Sequence, residues 1–485
     1  MIRILLVLGV AACSAVQKEA PDAAGPPPDA GSARLGWGDD VRLTDDPGSS
    51  EMTYNFAHSV AVGGGDAVHV VWFDDRDGGE QVYYKRSLDG GTTWEADRRL
   101  VADDTARMNP SVAASGDTVY VSWHEVTAAN GYYVVVDRSL DAGVTWEAPI
   151  TLTATGASAM TSIAADGDAV QLVWNESAAG PTEIERSGST DRGATWSAPV
   201  QVSSSPYDSW VANIAIQGEV AIASWVDYMD ANEEEYQRLS TDGGATWGPI
   251  LRRTIDPADS WAPSLAISGD VLHLFWFDRR DSAYSDVDVE TSLDDAAALI
   301  GIQVEPIPAR DPAVYYLDDF QPRLERKLTA ITSAGPAWVA SGGDATQLQA
   351  LLQQYQDRFE VWNDSWEIYY KRSTDGGATF GPDTRMTNAP YLSQRPSVVA
   401  IGDQVDVVWF DGRDGGGGDE TEIYYKGSTD GGVTWSDDLR LTNTSGGTAH
   451  IATHASIAAT ADRVHVVWYD NRDGNEEIYY KRLAR

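Results

Sequence analysis

Ser87-Leu88-Asp89-Gly90-Gly91-Thr92-Thr93-Trp94 is a segment that returns along the chain. Its pattern, Ser-x-Asp-x-Gly-x-Thr-Trp, starts again at Ser139, Ser189, Ser240, Ser373 (ending on Phe380) and Ser428. A decayed copy starts at Ser292, where Ala296, Ala298 and Leu299 replace the Gly, Thr and Trp. Internal repeats of about 50 residues mark a stacked array or a propeller.

Around the segment the parts keep one order. In the second unit, Pro110 to Ala113 reads as a short strand (A), Gly116-Asp117 as a tight turn, Thr118 to His124 as strand B and Tyr132 to Asp137 as strand C. The repeated segment is the next turn, and Glu147 to Thr153 is strand D. Short β-rich runs between Gly, Asp and Asn turns predict an all-β fold. Strand B carries Trp72, Trp123, Trp174, Trp225, Trp276, Trp409 and Trp468, and strand A begins at Ser59, Ser111, Ser162, Asn213, Ser264, Ser397 and Ser456. Two independent markers count to seven, which predicts a seven-bladed β-propeller. The last unit stops after strand C at Arg482, and Arg42-Leu43-Thr44 matches the strand D phrase Arg440-Leu441-Thr442. An N-terminal strand is therefore expected to complete the last blade and remove its open edge.

Successive strand B tryptophans are 51 residues apart, except for gaps of 133 and 59. Excising residues 283–364, 82 residues, restores the long gap to 51. This predicts an insertion in the B–C loop of blade five, with a helix over Gln347 to Arg358 that places Leu348, Leu351, Leu352 and Tyr355 on one face. The alternative is eight blades, with Arg358 to Trp362 as a diverged strand B and the decayed copy at Ser292 closing blade five.

The repeated segment resembles the Asp box (BNR repeat) of sialidases and related β-propellers. In that pattern the carboxylates of Asp89, Asp141, Asp191, Asp242, Asp375 and Asp430 accept turn amides as Asx turns do. Gly at the fifth position takes φ > 0, and the Trp covers apolar surface. Every role is structural, and the resemblance implies that the boxes lie away from the active site.

Residues 1–12 read as a signal peptide: Arg3 precedes an apolar run, Ile4 to Val10, too short to span a bilayer. Val10-Ala11-Ala12-Cys13 resembles a bacterial lipobox, with Cys13, the one cysteine, as the lipidated residue. Ser14 follows it, which by resemblance to Gram-negative lipoproteins favours the outer membrane. Residues 13–38, rich in Pro and Ala, read as a tether, and 39–485 as the propeller. The expectation is a protein secreted to the cell envelope, meeting the membrane through a lipid anchor alone. A formal charge of -39 excludes nucleic acid as a partner, because phosphate binding needs a basic surface.

Strands alternate in direction, so the boxes and A–B turns share one face, and the B–C loops and D–A links share the other. The second face is the variable one, where function sits on rigid scaffolds. Just before strand A come Tyr54 and Phe56, Arg107, Tyr207 with Asp208 and Trp210, Asp259 with Trp261, Tyr391 with Arg395, and His450 with His454. Aromatic planes beside Asp and Arg suit a sugar ring; the alternative is that they plug the channel. A second motif recurs as Asp74-Asp-Arg76-Asp77, Asp278-Arg-Arg280-Asp281, Asp411-Gly-Arg413-Asp414 and Asp470-Asn-Arg472-Asp473. It reads as a blade-to-blade Arg–Asp lock; the alternatives are arginines for a carboxylate ligand and, with Glu476 and Glu477, Ca²⁺ coordination. No metal or other cofactor is expected. His450 and His454 precede a strand, which removes the helical i,i+4 geometry of a zinc pair.

Sialidases of the resembling family use three arginines, a Tyr nucleophile with a Glu, and an Asp acid/base, the first arginine lying in a Phe/Tyr-Arg-Ile-Pro motif. Here Phe56 stands at that place in Asn55-Phe56-Ala57-His58, and Arg395 is displaced by one residue. Sialidases are also six-bladed. The reading is a surface-tethered propeller that binds a glycan or protein ligand without catalysis. The alternative is a glycoside hydrolase, sialidase-like or using paired carboxylates such as Asp208 and Asp259.

Overall fold

The computed structural model describes residues 36–55, 57–127, 131–178, 180–229, 232–306, 316–414, 420–442 and 450–485. Cys13, the signal peptide, most of the tether and Phe56 lie outside these residues. Seven antiparallel sheets follow one another as blades, each in the order A-B-C-D. In blade four these are Ser209–Gln217, Val220–Asp227, Glu234–Ser240 and Leu251–Arg252. In blade seven the fourth strand is Val41–Arg42, paired antiparallel with the last strand through Val41↔Tyr480 and Arg42↔Tyr479. The N-terminal strand thus closes the ring as expected.

Blade five joins strand B (Val271–Asp278) to strand C (Glu367–Ser373) across the insertion. Residues 282–364 form their own unit with three helices: α1 (Asp286–Ile300), α2 (Tyr316–Ala340) and α3 (Ala345–Asn363). The eighth-blade alternative fails on both of its markers. The decayed box lies inside α1, where its Gly and Thr have become Ala, the strongest helix former. A capping box starts that helix at Ser285. Arg358 to Trp362 lies in α3, so the helix exceeds the Gln347 to Arg358 expected. Glu290 of α1, fully buried, meets Arg323 at 2.7 Å and Lys327 at 2.7 Å from α2.

Blades pack small against large near the axis. Ala61 lies in one cluster with Val112 of the next blade, Ala113 with Ile163, Ala266 with Val398, and Ala458 with Val60. All seven strand B tryptophans are fully buried. The Asp boxes fasten neighbouring blades. The box Trp packs edge-on against the strand C Tyr of the preceding blade: Trp94 on Tyr480 at 4.9 Å, Trp146 on Tyr84 at 5.0 Å, Trp435 on Tyr370 at 5.2 Å. Gly143 has φ +83°, and a Cβ there would overlap the Tyr84 hydroxyl, so the box glycine serves the seam as well as the turn. The box carboxylates accept from Ser and Thr, as in Thr145 Oγ1 to Asp141 at 2.6 Å. Side-chain hydrogen bonds of this kind hold Asp141, Asp191, Asp242, Asp375 and Asp430 at about 2.

The Arg–Asp motif is corrected from a blade-to-blade lock to a lock within one blade. Arg76 binds Asp74, at the end of strand B, at 2.5 Å and Asp97, just before strand D, at 2.8 Å. Arg280 binds Asp278 and Asp383, Arg413 binds Asp411 and Asp438, and Arg472 binds Asp470 and Asp40 in the same way. Arg76 and Arg280 add a carboxylate from the incoming link, Asp46 at 2.5 Å and Asp256 at 3.7 Å. The last Asp of each motif accepts from a strand C tyrosine, as Asp77 does from Tyr83 at 2.5 Å. Of the carboxylates weighed for Ca²⁺, Glu477 and Asp473 bond Arg42 at 2.6 and 3.2 Å, and Glu476 accepts from Ser49 Oγ at 2.5 Å.

Two blades break a repeated charge, blade three with Ser187 and blade two with an acid. Lys85, Lys371, Lys426 and Lys481 of strand C donate to a carbonyl of the preceding blade. Blade two has Asp137 at this place, 2 % exposed. Burial pushes its carboxyl up to about 7. A carboxyl raised in the folded state costs nothing below pH 4 and progressively more as pH rises through 7. Asp137→Asn is therefore expected to leave stability at pH 3.5 unchanged and to raise it by about 2–4 kcal/mol at pH 8.5, read from denaturant midpoints.

Candidate functional site

Strand A carries a β-bulge at one place in six blades. The register shifts between Met108 and Ser111, Ala159 and Ser162, Trp210 and Asn213, Trp261 and Ser264, Gln394 and Ser397, and Thr453 and Ser456. The residue two before each marker takes a left-handed conformation without being glycine: Asn109, Met160, Val211, Ala262, Arg395 and His454, with φ from 51° to 60°. A bulge re-aims a side chain out of the ladder, and such backbone persists only where its surroundings hold it. The result is a ring of re-aimed residues around the channel on the D–A/B–C face. This explains the one-residue displacement of Arg395: it is the bulged residue of blade six.

Blade one departs from the ring by insertion. Ser50 pairs with Asp74, as Ser260 does with Asp278 and Ser393 with Asp411. From this serine to the strand A marker is four residues in blades five and six (260 to 264, 393 to 397) and nine in blade one (50 to 59), five extra. The extra residues reach across to other blades. Asn109 of blade two accepts from the Tyr54 amide at 2.8 Å, and Asn55 Nδ2 donates to the Thr161 carbonyl of blade three at 2.7 Å. Thr53 and Ala57 line a cavity of about 20 Å³ with Arg395 and His454. The blade-one segment therefore caps part of the mouth. Beyond it lies an apolar channel of about 250 Å³, lined by inner-strand residues such as Ala164, Ile214 and Leu265 with His58.

Tyr54, Arg395 and His454, from blades one, six and seven, come together. His454 stacks on Tyr469 at 5.0 Å, meets Tyr54 edge-on at 5.7 Å, and its Nε2 contacts the Arg395 guanidinium. Burial, then Arg395, drives the imidazole well below its ordinary range, so it is neutral. Burial also lowers Arg395 to about 10, which leaves it charged at neutral pH. The Tyr54 hydroxyl donates to Glu51. Burial and this carboxylate raise the phenol, and burial raises Glu51.

Trp210 and Trp261 stand at the same register position in blades four and five, both half-buried, with Tyr207 and Tyr391 half-buried on the links. Asp208 and Asp259 share one backbone role: Asp208 accepts the Thr182 amide at 2.6 Å and Asp259 the Glu233 amide at 3.3 Å. Asp259 is buried against Arg279, whose guanidinium lies 4.7 Å over the Trp366 ring. Arg107 is withdrawn from the mouth: 2 % exposed, it bonds Glu125 at 2.9 Å, Asp103 at 2.7 Å and Gln81 at 3.1 Å. Sequence reasoning passed over Glu51, Glu233, Arg279 and Trp366. Glu51 follows the Ser50 that marks the true start of strand A, and Trp366 precedes strand C of blade five. Among the described residues no three His, Cys, Asp or Glu side chains converge to hold a metal ion.

Residues 31–224 match the family described as BNR repeat-like domain. No curated protein matches the chain. Among solved structures the chain is similar to Trypanosoma rangeli sialidase, at 11% identity and a TM-score of 0.45, over 92% of this chain and 59% of that one. It is similar to a protein of unknown function from Dyadobacter fermentans DSM 18053 at 12% identity and a TM-score of 0.46, over 92% of this chain and 99% of that one. The chain thus spans about three fifths of the length of the sialidase.

Proposed function

We propose that the protein is a surface-tethered Asp-box propeller that binds a glycan or protein ligand at the D–A/B–C mouth and does not turn it over. The observation that carries this reading is the pair Trp210 and Trp261, half-buried at one register position in adjacent blades. Two such indoles offer apolar planes, the surface that sugar rings and protein hot spots share. The carboxylates weighed for glycoside hydrolysis argue in the same direction: Asp208 serves a backbone amide, and Asp259 serves an amide and Arg279. Anchoring through a lipidated Cys13 at the outer membrane belongs to the same proposal and rests on the lipobox resemblance.

A glycan array and a pull-down from envelope extract, both with the full chain, identify the ligand. Trp210→Ala with Trp261→Ala is expected to weaken binding about a hundredfold, roughly tenfold per aromatic ring, measured at a temperature where circular dichroism shows the variant folded. Unchanged affinity in that double variant rejects the mouth as the site.

One observation favours a second reading. Tyr54 donates to Glu51 beside Arg395, and a tyrosine assisted by a glutamate is the nucleophile of the sialidases that the boxes resemble. Release of fluorescent product from aryl glycosides, the sialoside included, tests it. Turnover abolished by Tyr54→Phe and by Glu51→Gln would make the protein a glycoside hydrolase and overturn the binding-only reading.

A further inference from the structure

Three glutamates stand where strand C of blade four starts, Glu233 just before it and Glu234 and Glu235 as its first two residues, each wholly buried. Glu234 has the partners that this place has elsewhere. It meets Arg252 at 2.7 Å and Asn232 at 2.9 Å, as Glu367 meets Arg385 at 2.6 Å in blade five. Glu235 occupies a place that is apolar in every other blade: Val82, Val134, Ile184, Ile368, Ile423 and Ile478. In those blades the side chain faces the following blade. Ile184 lies in a cluster with Trp225, Ile368 with Trp409, and Ile423 with Trp468. Glu235 therefore points into the seam between blades four and five.

Neither carboxyl oxygen of Glu235 has a hydrogen-bond partner there. Its backbone is fixed, with its amide on Thr254 Oγ1 at 2.8 Å and its carbonyl accepting the Arg253 amide at 2.7 Å, so the strand cannot slide the side chain out. The charged groups that face it are Glu234 and Glu233 of its own strand and Lys371 of blade five. Lys371 is already held by Asp383 at 2.6 Å and by the Arg253 carbonyl. Glu233, on the same side of the strand, faces Asp259 and Arg279 of blade five. The Trp261 indole and Tyr228 hydroxyl direct their donors towards it. An ionised carboxylate buried with too few donors costs several kcal/mol, whereas a protonated one costs far less.

We propose that the seam between blades four and five is a pH-operated joint, closed while Glu233 and Glu235 carry protons and loosened when they ionise. Burial raises both carboxyls far above their ordinary range, which agrees with this geometry. The sign follows: a raised carboxyl costs nothing below pH 4.5 and destabilises the seam progressively as pH rises. The joint meets the Trp261 indole through Glu233 and strand C of blade five through Lys371, so it couples pH to the D–A/B–C mouth of these two blades.

Hydrogen exchange of the full chain at pH 5.5 and pH 8.5, corrected for intrinsic rates, tests the joint. Amides of Glu234–Ser240 and Ser260–Ser268 are expected to lose about tenfold or more in protection at the higher pH, relative to the matching strands of blades one and two. Glu235→Ile restores the residue of the other blades and is expected to abolish most of that loss; Glu235→Gln, neutral and of the same shape, is expected to do the same. Equal protection at both pH values, or the same pH response in wild type and in both variants, overturns the proposal.

Discussion

Removing residues 1–45 is expected to unfold the propeller, whereas removing residues 1–36 leaves its unfolding midpoint unchanged. The nine residues between these cuts supply the fourth strand of blade seven. Trp37, 6 % exposed, meets Tyr425 edge-on at 5.1 Å and bridges to Leu483. Asp40 binds Arg472 at 2.7 Å and Lys481 at 2.9 Å. The Leu43 amide donates to the Ile478 carbonyl at 2.7 Å, and the Ile478 amide to Thr44 Oγ1 at 2.8 Å. Arg42 and Thr44 together neutralise Glu477, which is wholly buried. Burying Leu43 alone contributes about 2–3 kcal/mol. Stripping both partners from a buried carboxylate costs about 3–5 kcal/mol more. The sum reaches the whole stability of an ordinary domain, about 5–15 kcal/mol. The cut also exposes the edge of strand C, an aggregation template. Circular dichroism and light scattering of the two truncations measure the difference; a folded, monomeric 46–485 fragment would show that blade seven holds with three strands.

That closure was legible because two short phrases, Arg42-Leu43-Thr44 and Arg440-Leu441-Thr442, match in sequence although their strands belong to opposite ends of the chain. The blade count was legible for a similar reason: the strand B tryptophan is needed in every blade and is buried in every blade. The helical insertion was legible as a gap, and one of its three helices as an apolar stripe. The other two were not, since α1 contains the remnant of a box and reads as a damaged turn.

The mouth was legible as a set of residues and not as a geometry. Tyr54, Arg395 and His454 were picked for their place before strand A, but which of them meet depends on a bulge and on five extra residues in blade one. Neither has a sequence signature, because a non-glycine left-handed residue is a property of its surroundings. The Arg–Asp motif shows the converse limit. Recurrence in four blades says that the interaction is structural; whether Arg76 reaches forward to the next blade or back to Asp97 is decided by strand D, which follows only after the whole box.

Asp278→Ala is the substitution within one blade expected to cost most. This carboxylate, wholly buried at the end of strand B, accepts from Ser260 Oγ at 3.0 Å, Trp276 Nε1 at 3.2 Å, the Arg280 amide at 2.7 Å and the Arg280 guanidinium at 2.5 Å. Alanine leaves three donors unmet and Arg280 short of a partner, which predicts a loss of about 3–5 kcal/mol in a urea titration. Blade four shows what the carboxylate does without its arginine. Asp227 keeps the equivalent bonds, to Ser209 at 2.7 Å and Trp225 at 3.4 Å, and burial raises it to about 6. Burial already raises Asp278 against the pull of Arg280, and Arg280→Met should raise it further, towards the state of Asp227. Because a raised carboxyl is harmless below pH 4 and increasingly costly up to its folded pKa, the deficit of that variant against wild type is expected to be smallest at pH 4 and to grow towards pH 8. The double variant then isolates the pair: at pH 8 its loss should be smaller than the sum of the two single losses by about 1–3 kcal/mol, the coupling of groups in direct contact. Additive losses at pH 8 would mean that Asp278 acts through its serine and tryptophan alone, and that the repeated arginine holds strand D without holding strand B.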